Sequence, residues 1–203
     1  MTAVASEPSA QPTAQPASQS ASQSAAQPAA QPAADGARPV GDAPSALQPG
    51  AFRAVLRHHV KGVAVITAGG ATPVGFCATS LTSVSLDPPL VSFTAGLHTD
   101  SWAVMEREQH VVVHLLAEGQ EETARRFART GEVKFGPATR WHRDARGLPV
   151  LDDVLARFVV APVSVLPVAD HALVIGRVLE AAQMTGGRPL VHHDGDFVRL
   201  ATS

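Results

Sequence analysis

The stretch from Gly75 to Val91 constrains the fold more than any other part of the chain. It reads Gly-Phe-Cys-Ala-Thr-Ser-Leu-Thr-Ser-Val-Ser-Leu-Asp-Pro-Pro-Leu-Val. Phe76 to Leu81 has strand-like length and carries small and hydroxyl side chains. Thr79, Ser80, Thr82, Ser83 and Ser85 place five hydroxyls within seven residues. Asp87-Pro88-Pro89 then stops the segment, because proline fixes φ and removes an amide donor, and Leu90-Val91-Ser92-Phe93 opens a new apolar run. The turn is rigid and interrupts the ladder of backbone hydrogen bonds. Small residues let a flat ligand approach the backbone, while hydroxyls and free amides bond its polar edge. The plainer reading is an ordinary Ser/Thr-rich strand and loop.

The rest of the pattern is that of a mainly β protein. Gly62 to Ala68 is a Val- and Ile-rich strand, followed by Gly69-Gly70, a turn that permits positive φ. Further strands are expected at Leu90 to Ala95, His110 to Leu116, Leu155 to Leu166 and His171 to Ala182. Pro162 places part of one long strand at an edge or a bulge. Gly186-Gly187 makes another turn. Leu190 to His193 and Phe197 to Leu200 flank Asp194-Gly195, a hairpin-type turn. Helices are few. Pro49 to His59 has Phe52, Val55, Leu56 and Val60 at helical spacing, a stripe expected to pack on the barrel. His58 and His59 then lie at its C-terminal end. Thr99 or Asp100 caps a helix to about Glu108, with Trp102 and Met105 facing inward. Glu118 to Thr130 forms a third helix, acidic in its first turn and basic in its last, with Ala124, Phe127 and Ala128 on one face. Gly131 to Leu151, which holds Lys134, Phe135 and Trp141, reads as loop. Many short strands with few helices predict an antiparallel β-barrel, closed or split.

Composition sets the outer limits. The chain has 203 residues, 45% of them hydrophobic, enough for one domain with a core. Residues 1–34 are almost wholly Ala, Gln, Pro and Ser, with too little apolar area to offset the entropy of ordering. We read 1–48 as a disordered tail and 49–203 as the domain. The tail has neither a basic start nor an apolar run, so it does not read as a secretory signal. Cys77 is the single cysteine, which excludes an internal disulfide and a cysteine-based zinc site and suits a cytoplasmic setting. The net charge is −2, and beyond the tail the chain carries fifteen acidic and fifteen basic residues. Such balance argues against a nucleic-acid partner, and no apolar run is long enough to span a membrane. His110 and His114 have a helical metal spacing, but on a strand they lie roughly 13 Å apart, so no metal site is expected.

Several chemistries lack their signatures. There is no Gly-rich dinucleotide turn between strand and helix, no P-loop, no His-Glu-x-x-His and no Gly-x-Ser-x-Gly elbow. No carboxylate pair stands out as an acid/base dyad, so a cofactor has to carry any difficult step.

The Gly75–Val91 pattern closely resembles the flavin reductase-like family, the FMN-binding split barrels that supply reduced flavin to monooxygenases. The likeness continues upstream in Phe52-Arg53 and Gly62-Val63-Ala64-Val65-Ile66-Thr67. Downstream it includes Arg126-Phe127-Ala128, Leu148-Pro149-Val150-Leu151, Asp170-His171 and Gly176-Arg177-Val178. It implies a split barrel that reduces FMN, or alternatively FAD, with NADH or NADPH. It further implies a homodimer and a monooxygenase partner. By resemblance Ala78, Thr79, Ser80, Ser83, Ser85 and Ala95 line the flavin. His98, Thr99 and Ser101 belong to the loop that holds its phosphate, and Phe127 lies beside it. Asp100 puts a negative charge where the family often has a hydroxyl. His171 is implied on the nicotinamide side, in a motif that usually reads Gly-Asp-His and here reads Ala169-Asp170-His171. The family often has Tyr where this chain has His192 and Phe197. Two other readings are a flavin-binding protein without turnover and an oxidase of the pyridoxamine-phosphate type. The second is disfavoured by the absence of an Arg/Lys-rich phosphate cradle.

Overall fold

The computed structural model describes residues 47–201, so the expected tail lies almost entirely outside the described residues. The described residues form three helices, α1 (Pro49–Leu56), α2 (Asp100–Met105) and α3 (Glu121–Ala128). Seven strands form one antiparallel sheet: β2 (Ala64–Ala68), β3 (Val74–Ala78), β4 (Thr82–Leu86), β5 (Pro89–Gly96), β6 (Val111–Leu115), β9 (Ala156–Val168) and β10 (His171–Gln183). Their spatial order is β3-β2-β6-β9-β10-β5-β4. A smaller sheet joins β1 (Lys61–Gly62), β11 (Val191–His193) and β12 (Asp196–Val198), and β7 (Trp141–Arg143) pairs with β8 (Pro149–Leu151). The fold is mainly β and antiparallel, as the sequence predicts.

The sheet bends around its own side chains. One core cluster draws Ala64, Ile66, Phe93, Val113, Val160 and Val174 from five strands, and α2 adds Trp102 and Met105. The alternate residues of β2 face the other way. Val65 joins Ala124 and Phe127 of α3, with Leu151 and Leu190, in a second cluster. Burial on both faces explains why β2 reads as an unbroken apolar run rather than an alternating one. Each buried Phe or Ile of this kind contributes about 1.5–3 kcal/mol relative to exposure. Gly75 is fixed by this packing. A Cβ there would stand 2.8 Å from Phe127 Cε1 and 2.9 Å from the Ile66 carbonyl oxygen.

Several expectations need correction. Helix α1 stops at Leu56, and none of its residues is buried, so the Phe52-Val55-Leu56 stripe is not packed into the core: Phe52 and Leu56 line an open cleft beside β1 and β11, and Val55 is exposed. Thr82–Leu86 is a strand, paired with β5 through a register shift between Ser83 and Ser85, where a loop was expected. Its residues are mostly exposed, so it has no apolar alternation to announce it. Helix α2 ends at Met105, earlier than expected, and α3 is shorter than expected at both ends, with Ala128 exposed while Ala124 and Phe127 are buried. The 131–151 segment contains the β7–β8 pair, whose short strands carry too few residues for a periodic signal. The pairing of β9 with β6 ends at Val160, so Pro162 lies where β9 pairs with β10 alone, and a register shift opposite Ile175 and Gly176 accommodates it. Both readings hold, since this part of β9 is a local edge and carries the bulge.

Candidate functional site

Strand β5 is the axis along which the candidate residues meet. Its Ser92 pairs with Thr82 of β4, and its Gly96 pairs with His171 of β10. Between them, the Thr94 N–H and hydroxyl both donate to Ser80 Oγ, at 2.9 and 3.0 Å. Ser80 therefore fastens the segment after β3 onto the middle of β5. From Val91 to Gly96 the strand spans about 17 Å. One end of this ledge presents Ser83, the middle Thr79 and Ser80, and the far end His98, Thr99 and His171, all exposed. Ala78 and Ala95 are buried beneath it, and Ser85 is half-buried. Small side chains at Ala78 and Ala95 keep the ledge low, so a planar ligand can lie close to its backbone. Leu81 turns away into an apolar recess of about 180 Å³ shared with Ala64, Leu115 and Pro189.

The far end is built by a hairpin tip. Strands β9 and β10 pair Val168 with His171, leaving Ala169-Asp170 as the turn, with Ala169 at φ 52°. That left-handed geometry disfavours a side chain, which accounts for the glycine usual in the related motif. The Asp170 carbonyl accepts from the Leu97 N–H at 3.0 Å, tying the tip to the loop before α2. His171 Nδ1 donates to Asp170 Oδ1 at 2.7 Å. This bond, with the backbone and His98 nearby, holds the Asp170 carboxyl below the usual carboxylate range. His98, Asp170 and His171 are thus brought together from positions more than seventy residues apart in sequence.

The loop into α2 is already committed to holding itself. Thr99 Oγ1 accepts from the Trp102 N–H at 3.1 Å and donates to the Gly96 carbonyl at 3.0 Å, so Thr99 rather than Asp100 is the cap. Ser101 is buried and donates to the Gly75 carbonyl at 3.0 Å, which ties α2 to β3. Asp100 is exposed and acts electrostatically on Lys134. Lys134, which sequence reasoning left in an anonymous loop, therefore brings a cation toward the start of α2. Phe127 is fully buried against Gly75 and stacks edge-on with Phe135 at 5.3 Å. It supports the floor of β3 and does not reach the ledge surface.

Two other residues gain a physical role. Burial pushes the Cys77 thiol up to about 11, so it stays protonated and unreactive at neutral pH. His114 is fully buried, with Nδ1 donating to the Val65 carbonyl and Nε2 accepting from the Leu151 N–H, both at 3.1 Å. Desolvation lowers its pKa to about 4, which keeps it neutral. It is an internal clip between β6, β2 and β8. No sequence signal distinguishes such a clip from any other strand histidine. Among the described residues no group of His, Cys, Asp and Glu side chains is placed to hold a metal ion, and no helix is long and apolar enough to cross a membrane.

Comparison with known proteins places this geometry. Residues 56–201 match the flavin reductase like domain. An NADH:FMN oxidoreductase of Rhodococcus qingshengii is 40% identical over 155 residues, covering 74% of this chain and 81% of that protein. The reductase subunit HsaB of a flavin-dependent monooxygenase from Rhodococcus jostii is 35% identical over 159 residues, covering 78% of this chain and 81% of its own length. The crystal structure of a flavin reductase domain protein from Arthrobacter sp. FB24 superposes with a TM-score of 0.71 at 32% identity, over 76% of this chain and 96% of that one.

Proposed function

The chain belongs to the flavin reductase like domain family, and from that premise we propose that it reduces FMN with NADH and passes the reduced flavin to a separate monooxygenase component. The observation that carries the reading is the meeting on β5 of the hydroxyl ledge with the Asp170–His171 tip. The ledge fits the polar edge of a flavin because its exposed hydroxyls lie beside alanines that leave the backbone approachable. Flavin supplies the redox step: NADH gives up a hydride to its N5, a proton follows, and NAD⁺ and reduced flavin result. The protein's own part is alignment. Ser80, Thr79 and Ser83 fix the flavin edge, and His171, oriented by Asp170, faces the nicotinamide side. A ledge of neutral hydroxyls holds flavin loosely enough for it to leave. FAD in place of FMN and NADPH in place of NADH are the competing substrates.

Three further parts of the reading follow. The domain begins at Pro49, closes as a split barrel, and carries out the reaction without residues 1–48. It works in the cytoplasm, where NADH is made. It pairs as a homodimer through the exposed apolar run Val163, Val165, Leu166 and Val168 of β9, which a lone chain would leave in water. Light scattering that gives a monomer mass for fully active protein overturns the dimer. Steady-state oxidation of NADH and NADPH against FMN, FAD and riboflavin tests the activity. Turnover that depends on free flavin and favours FMN and NADH is expected; bound flavin without NADH oxidation contradicts the reading.

A further inference from the structure

We propose that a basic cleft under α1 holds the diphosphate of a dinucleotide, a claim that rests on the reductase reading above and extends it to the far half of the substrate. The cleft has a volume of about 690 Å³. Its walls are α1 on one side and β1, β11 and the β11–β12 turn on the other. Asp170, next to His171, stands on its rim.

Three features point to a polyanion with an aromatic end. The first is unbalanced charge. Arg53, Arg57 and Lys61 line the cleft, with His59 and His192 between them, and none of the three cations is in an ion pair among the described residues. Elsewhere eight of the described arginines have an acidic partner. Among the described residues Asp170 is the single acid in the cleft wall, and one of its oxygens is taken by His171. Three uncompensated cations facing one cavity repel each other, and an anion with two phosphates relieves that repulsion.

The second feature is preorganisation. Asp194 N–H donates to the Arg57 carbonyl at 3.0 Å, which joins the end of α1 to the turn of the β11–β12 hairpin. Gly195, at φ 89°, lets the Arg57 guanidinium lie against that turn, and a Cβ there would come 2.7 Å from Nη2. The backbone of Arg57 is thereby tied to the turn, and its guanidinium lies beside Gly195 at the cleft. The third feature is the exposed apolar stripe of α1. Phe52 and Leu56 face the same cleft, with 53% and 40% of their surface open, and offer an apolar wall to an adenine ring. The diphosphate can come from NADH or from FAD, since both carry the same ADP group.

The test uses the full chain and the variants Arg53→Gln/Arg57→Gln and, separately, Lys61→Gln. Because these side chains belong to exposed or half-exposed residues, the fold is expected to tolerate them, and circular dichroism checks this. Calorimetric binding of ADP-ribose without flavin gives a readout independent of catalysis. Wild type binds it, and the double variant binds about ten- to hundredfold more weakly, the range for losing charge-assisted hydrogen bonds. Steady-state kinetics then identify the source. A raised KM for NADH that is much smaller for reduced nicotinamide mononucleotide, which lacks the ADP half, assigns the cleft to NADH. A raised KM for FAD but not FMN assigns it to FAD. ADP-ribose binding that is absent in wild type, or equal in wild type and variants, overturns the cleft. Wild type that binds ADP-ribose yet reduces no flavin overturns the reductase reading and leaves the cleft standing.

Discussion

His114 gives the most quantitative prediction. Its neutral form uses both ring nitrogens, as a donor to Val65 and an acceptor from Leu151, in a site with no solvent contact. The folded pKa of about 4 lies below the ordinary value of 6.5. Above pH 6.5 neither folded nor unfolded chain is protonated there, and the clip contributes in full. Between 6.5 and 4 the unfolded chain takes up a proton that the folded chain refuses. Stability therefore falls with pH across this window, by up to about 1.4 kcal/mol per unit and about 3 kcal/mol in all. That is a large share of a total of about 5–15 kcal/mol. Urea unfolding at a series of pH values from about 7.5 to 4.5, for wild type and His114→Gln, measures it. The variant should be less stable at neutral pH and should lose less stability on acidification. Parallel curves for the two proteins would mean that His114 does not carry this proton linkage.

Gly75→Ala should destabilise the fold by about 1–3 kcal/mol, since its methyl collides with the Phe127 ring and the Ile66 carbonyl, and urea midpoints will register it. Ala169→Gly should do the opposite, gaining about 0.5–1 kcal/mol by relieving a positive φ, with kinetics little changed. Ser80→Ala removes the acceptor for both Thr94 donors, so the flavin KM should rise severalfold. His171→Ala should instead lower kcat/KM for NADH about two- to tenfold with the flavin KM little changed; the reverse pattern would exchange the two residues' sides of the site.

Much of this fold was legible because its strands announce themselves in different ways. Strand β2 is a β-branched run, the β9–β10 hairpin is long and bounded, and Asp194-Gly195 marks the last turn with φ of 50° and 89°. Thr99, Trp102 and Met105 revealed the cap and inner face of α2. What failed was whatever burial does not pattern. Strand β4 is exposed and hydroxyl-rich, so its pairing with β5 has no local signature. The α1 stripe has helical spacing, yet spacing cannot say whether a partner covers it. At the site, Ser80 was visible in its motif, but the group of His98, Asp170 and His171 depends on the β5–β10 register. Arg53, Arg57 and Lys61 lay close in sequence without a motif, and the cleft that gathers them exists only once α1 and the β11–β12 turn are in place.

The central claim is tested most directly by mixing the protein anaerobically with FMN and NADH and following the flavin's visible absorbance. The account predicts rapid bleaching, first order in protein and saturable in both substrates, with the reduced flavin passing freely through a small-molecule filter. Bleaching no faster than in a protein-free control would contradict it.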